Sequence, residues 1–154
     1  MDSDNDGKLD RSNGETMEIL ELDILVNQEN TQRVKTANQI KSWLEDIGIW
    51  VTVTQVPFSA YEEKLNQKNY DMAICEIDIS DNCDLKFLLE TGYNIYGISN
   101  ENLDSLMLLA DKTDNLSQIG QLYQEMCTVL QQEMPICGLY FKNASLILDE
   151  SLRG

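Results

Sequence analysis

Residues 21–56 read ELDILVNQENTQRVKTANQIKSWLEDIGIWVTVTQV, and their hydrophobic rhythm changes twice. The first rhythm begins just upstream. Over Ile19–Val26, Leu20, Leu22, Ile24 and Val26 share one side with Glu21 and Asp23 opposite, the period-two pattern of a strand buried on one face. From Thr31, Val34, Ala37, Ile40, Leu44 and Ile47 recur at three- and four-residue steps, so the spacing predicts a helix, with Gly48 supplying its left-handed close. Ile49–Val56 is then rich in β-branched residues and stops at Pro57, a second strand. Strand, helix and strand in this order predict a right-handed crossover and parallel pairing.

Downstream, Ser59 and Glu62 have the spacing of a capping box for a short helix carrying Tyr61 and Leu65. The stretch YDMAICEIDISDNCDLKFLLE, Tyr70–Glu90, opens as a continuous apolar run, and its MAICEIDI portion predicts a third strand covered on both faces. Helices are predicted over Leu85–Glu90, closed by Gly92, and over Asn100–Asp111, with Leu103, Leu106, Leu109 and Ala110 inward. A third is predicted over Ser117–Glu133, with Leu122, Met126, Val129 and Leu130 inward and Pro135 beyond its end. ICGLYF and SLILDE read as closing strands. The fold class is α/β, a mostly parallel sheet flanked by helices.

At 154 residues and 42% hydrophobic, the chain is sized for one domain with its own core. Its 27 acidic and 11 basic residues give a formal charge of -16, without a Lys/Arg cluster to follow a phosphate backbone, so nucleic acid is an unsuitable partner. There is no histidine, which excludes Ser-His-Asp and Cys-His nucleophiles and imidazole-dependent zinc sites. Cys75, Cys83, Cys127 and Cys137 contain no C-x-x-C pair and read as buried free thiols, with disulfides left open by their even number. No apolar run reaches the roughly 20 residues of a membrane span. The residues after Met1 are acidic where a signal peptide is basic and then apolar, which implies either a cytosolic protein or an excised piece of a larger one.

Two acidic clusters invite chemistry. In DSDNDGKLDRSNGE, Asp2, Asp4 and Asp6 alternate, Gly7 suits a sharp turn and Asp10 lies at the ninth position of a calcium loop, whereas the twelfth is Asn13 instead of a bidentate Glu. A calcium-binding adhesion or scaffold module is the alternative function this loop raises. Asp71, Asp78, Asp81 and Asp84 are arranged along the third strand and beyond it. Acid/base pairing is conceivable for them, but spacing alone favours caps and solvent-facing positions, with Asp84 capping Leu85–Glu90. Asp81 stands out, since ligands of open α/β sheets sit beyond the C-terminal strand ends.

The run RVKTANQIKSWLEDIGIWVTVTQVPFSAYEEKLNQKNYDMAI resembles the C-terminal lobe of the extracellular solute-binding proteins of family 5, the oligopeptide- and dipeptide-binding components of ABC importers. DSDNDGKLD, DNCDLKFL, NIYGISNENLDSLM and EMPICGLYF resemble four further segments of that lobe, in the same order. The resemblance implies one partial lobe of a periplasmic-binding-protein type II-like fold, with residues 1–18 an acidic turn leading into it and residues 19–154 the lobe. It also implies a non-enzymatic, two-lobed parent, needing no cofactor, that closes on an extended peptide and delivers it to ABC permease subunits. That parent is exported and lipid-anchored at the outer face of the cytoplasmic membrane, or periplasmic, with a missing N-terminal lobe and this piece excised from it. At residue level, Asp81 matches the aspartate that receives the peptide α-ammonium group, with Asp78 and Asn82 beside it. The family's Gly-Trp pair before that aspartate is absent from CEIDIS, and its following proline is Leu85.

Overall fold

The structure is a computed structural model that describes residues 2, 6–12, 14, 16–78, 85–94, 96–133 and 136–141. The acidic N-terminal stretch folds back on itself, with β1 (Asp10–Ser12) antiparallel to β2 (Met17–Ile19). Strands this short leave no periodicity to read in the sequence. The predicted strand Ile19–Val26 is broken at Leu20, whose amide donates to Leu9 O at 2.6 Å while its carbonyl accepts from Trp50 N at 3.0 Å. Strand β3 (Glu21–Asn27) therefore starts two residues after the predicted Ile19, followed by α1 (Thr31–Glu45), β4 (Trp50–Val56), α2 (Phe58–Gln67) and β5 (Met72–Ala73).

β3 is the middle strand, with β4 parallel on one side and β5 parallel on the other. Helix α1 covers one face: Ala37 is buried against Ile24, Val26, Val51 and Ile74, with Val34, Ile40, Leu44 and Ile49 packed around them. Helix α2 covers the other, where Tyr61 and Leu65 enclose Leu25. β3 is thus buried on both faces at its C-terminal end, not on one, because Leu25 faces α2 while its neighbours face α1. Burial of each such side chain contributes about 1.5–3 kcal/mol.

Gly48 adopts φ 87°, and the turn closes through Gly48 N to Glu45 O at 3.0 Å and Ile49 N to Leu44 O at 3.0 Å. This paired closure with an apolar Leu44–Ile49 contact is a Schellman motif. It turns Ile47 outward, 61% exposed, where the spacing had placed it on the inner face. The capping box at Ser59 does not form. Helix α2 begins at Phe58 behind Pro57, without a side-chain cap of its own, and the Phe58 amide donates to the Glu29 carboxylate at 3.4 Å. The third strand is also shorter than MAICEIDI, its ladder ending at Ala73 with one further bond from Ile74 N to Leu25 O at 3.0 Å. The Ile74 carbonyl accepts from the Tyr61 hydroxyl at 2.9 Å, so a side chain takes over where the ladder stops.

Three helices follow: α3 (Lys86–Leu89), α4 (Glu101–Ala110) and α5 (Leu116–Glu133). Asn100 caps α4 by accepting from Asn102 N and Leu103 N, and Asn115 accepts from Ser117 N and Gln118 N at the start of α5. Their shared core holds Leu88, Leu89, Leu103, Leu106, Met107, Leu122 and Met126, with Ile77 and Tyr96 packed against it. Met107 takes the inward position predicted for Leu109, which is 50% exposed. The buried Asn94 closes the loop ahead of α4: its Nδ2 donates to Glu90 O and Ile98 O, and its Oδ1 accepts from Tyr96 N and Ile98 N. The predicted strand ICGLYF is not formed over residues 136–141, which are exposed, and SLILDE lies outside the described residues. Among the described residues, no helix is long and apolar enough to cross a membrane.

Candidate ligand-binding site

The C-terminal ends of β3, β4 and β5 meet at the start of α1, where the order β4-β3-β5 makes a topological switch point. A string of polar side chains crosses all three ends. The Glu29 carboxylate, holding the α2 amide of Phe58, accepts from Asn27 Nδ2 at 3.4 Å. Asn27, buried at the tip of β3, accepts through Oδ1 from Arg33 Nη1 at 3.1 Å. Arg33 Nη2 donates to Glu76 Oε2 at 2.7 Å, reaching the segment that leaves β5.

Asn30 caps α1 by accepting from Arg33 N at 3.0 Å, which sets Arg33 in the first turn. Cations are disfavoured there by the helix macrodipole, so an arginine at this place needs a specific partner. Glu76 supplies it. The sequence carried that signal, an Asn cap followed three residues later by Arg, but not the partner's identity.

Beneath the string, the Tyr61 hydroxyl lies 3.0 Å from Cys75 Sγ. Burial pushes the Cys75 thiol up, and the Tyr61 hydrogen bond and the Arg33 charge pull it back only in part. The Tyr61 hydroxyl is raised far above an ordinary phenol by burial first and by the Cys75 contact next. Tyr70 and Tyr96 are raised mainly by burial, with Cys75 adding to each. The raised values keep these groups protonated at neutral pH.

Of the predicted site residues, Asp78 is exposed two positions beyond Glu76. Asp81 and Asn82, with Asp84 and Cys83, lie outside the described residues. Asp71 is structural: its carboxylate accepts from Asp23 N at 2.8 Å, at the opposite end of β5 from Asp78, so the two acids do not face each other. Cys75 is a half-buried free thiol, whereas Cys127 and Cys137 are free and exposed, not buried as the sequence implied. In the N-terminal loop the carboxylates bind amides: Asp2 accepts from Gly7 N at 3.1 Å and Asp6 from Lys8 N at 2.9 Å. Among the described residues no three His, Cys, Asp or Glu side chains are grouped to share a metal ion. Asp4 lies outside them.

Residues 3–96 match the family model of bacterial extracellular solute-binding proteins, family 5, middle region, and the chain belongs to that family. Over 160 aligned residues it is 26% identical to the oligopeptide-binding protein AppA of Bacillus subtilis strain 168, covering 99% of this chain and 29% of the relative. The solved structure of Bacillus subtilis AppA in complex with a nonapeptide superposes with a TM-score of 0.76 at 22% identity, over 88% of this chain and 27% of that one. The oligopeptide-binding protein of Thermus thermophilus, complexed with a pentapeptide, gives 0.71 at 19% identity over 85% and 26%. NikZ from Campylobacter jejuni in complex with Ni(L-His) gives 0.67 at 18% over 82% and 28%. These superpositions establish the periplasmic-binding-protein type II fold. The chain spans under a third of the length of each of these relatives.

Proposed function

We propose that this chain is the C-terminal α/β lobe of the peptide-binding component of an ABC importer. Residues 1–18 form the acidic lead-in and residues 19–154 the lobe. The protein works without catalysis: with an N-terminal lobe it closes on an extended peptide and delivers it to permease subunits. It does so outside the cytoplasmic membrane, held there by a lipid anchor on the parent protein. Asp81 receives the peptide α-ammonium group, with Asp78 and Asn82 beside it, and the peptide main chain is held as an added strand.

The observation that carries this reading is the course of the chain at the switch point. In a member of this family, β5 ends early and Cys75–Asp78 leaves it where ligands of open α/β sheets bind, with Asp81 following three positions after Asp78 in the sequence. AppA and the Thermus thermophilus protein, whose solved structures hold peptides, share the fold. The nickel complex of NikZ makes the ligand class a matter for experiment.

Calorimetry on the full-length protein tests the reading with peptide pools and nickel chelates as separate ligands. Peptides are expected to bind, and Asp81→Ala to weaken them about tenfold or more, the loss of one charge-assisted hydrogen bond. Failure of every peptide pool to bind, or unchanged affinity in Asp81→Ala, overturns the assignment or its anchor respectively.

A further inference from the structure

We propose that the cleft between α3, α4 and α5 is a binding site for a single uncharged phenolic ring. It lies in the helical core, apart from the strand ends, and stands independently of the peptide-binding reading.

The cleft follows from side-chain sizes on two facing helices. Met107 and Ala110 are one turn apart on α4, and Tyr123 and Met126 have the same spacing on α5. Ala110 contributes only a methyl group where the other three are long, and the helices border a cavity of about 130 Å³ there, with Leu85 completing its apolar lining. Its deep side is made by Met107 and Met126, which are buried in the core. An apolar cavity of about 150 Å³ holds benzene, so this one matches a single six-membered ring. Two thioethers favour an aromatic ring over an aliphatic one, through contacts between sulfur and the ring.

The open side selects the head group. Lys86 Nζ pairs with Asp111 Oδ2 there, and both side chains are half-exposed. A cationic head would face Lys86 and an anionic head Asp111, so repulsion attends either. A hydroxyl suits both, donating to the carboxylate and accepting from the ammonium. Direction separates a free phenol from a tyrosine side chain. Entering from the open side, a tyrosine would carry its hydroxyl, para to its point of attachment, down to the methionines. A free phenol turns its hydroxyl outward.

Methionine-methyl NMR of the full-length protein tests the site with phenol, benzene and N-acetyltyrosinamide as probes. Phenol is expected to shift the Met107 and Met126 signals saturably while the exposed Met17 of β2 stays in place. Benzene should bind about tenfold more weakly, lacking the charge-assisted hydrogen bonds, and N-acetyltyrosinamide should move neither signal. Ala110→Leu fills the cavity and should abolish the phenol shift. Asp111→Ala, a change at a half-exposed side chain, should remove most of the advantage of phenol over benzene, and carries the comparison if Ala110→Leu does not fold. Signals unmoved by phenol, a shift that persists in Ala110→Leu, or a phenol advantage that survives Asp111→Ala overturns the proposal. So does equal binding of phenol with benzene or with N-acetyltyrosinamide.

Discussion

The Tyr61 hydroxyl donates to the Ile74 carbonyl at 2.9 Å, joining α2 to the last residue that the β3–β5 ladder holds. Tyr61 is 3% exposed, so removing the hydroxyl leaves a buried carbonyl without that donor. Tyr61→Phe is expected to destabilise the chain by about 1–3 kcal/mol, measured by urea denaturation. An unchanged midpoint would mean that the β5 end is held without this bond.

The same cluster sets an alkaline limit. Cys75, Tyr61, Tyr70 and Tyr96 all have folded-state values above their ordinary ones of 9.0 for the thiol and 10.0 for the phenols. Above those ordinary values the unfolded chain loses protons that the folded chain keeps, so the unfolded state binds fewer of them and stability declines as pH rises. The contribution is whole below about pH 9 and is lost as pH climbs through the raised folded values. Denaturation midpoints should therefore drop on the alkaline side, and less steeply in Tyr61→Phe combined with Cys75→Ala.

Asn94 should be intolerant even of its near-isostere. Its amide nitrogen donates to two carbonyls, Glu90 O at 2.7 Å and Ile98 O at 2.9 Å. Asn94→Asp places a carboxylate oxygen against those carbonyls, and a cost of about 3 kcal/mol is expected in thermal or urea unfolding. A loss well under that would show the loop to be re-formed by other groups.

At Gly48 two effects add. Its φ of 87° strains any side chain, and a Cβ there would lie 3.2 Å from Gly7 O and from Leu9 Cγ. Gly48→Ala is expected to cost about 1–3 kcal/mol. It should also speed amide exchange at Leu9, whose N–H donates to Gly48 O at 2.7 Å. Slow Leu9 exchange in the variant would mean that the hairpin docks independently of this turn.

The β3-α1-β4 unit was legible because its signals are local: alternation, a three-to-four repeat, and a glycine at the one place that needs a positive φ. Partners distant in sequence were not. The amide at the start of α2 is met by Glu29, 29 positions upstream, which no capping pattern near Ser59 reveals. Arg33 and Glu76 are 43 positions apart, and nothing in the pattern around either residue announces the pair. The length of β5 was overestimated because apolar content continues past Ile74 while Tyr61 ends the ladder. Met107 displaced Leu109 from the α4 core because packing against α5 chose between two neighbouring apolar stripes. Asp81 and Asn82 were legible through the family resemblance and through their place in the sequence beyond the third strand.

Between Ile74 and Ile77 the backbone leaves one oily interior and enters the other. Among the described residues each core is enclosed by its own side chains, so the sheet and the helical trio are joined here by a short run of chain and not by a shared interior. On the proposed reading, a bound peptide raises the unfolding temperature of the full-length protein by mass action, and the shift grows with peptide concentration.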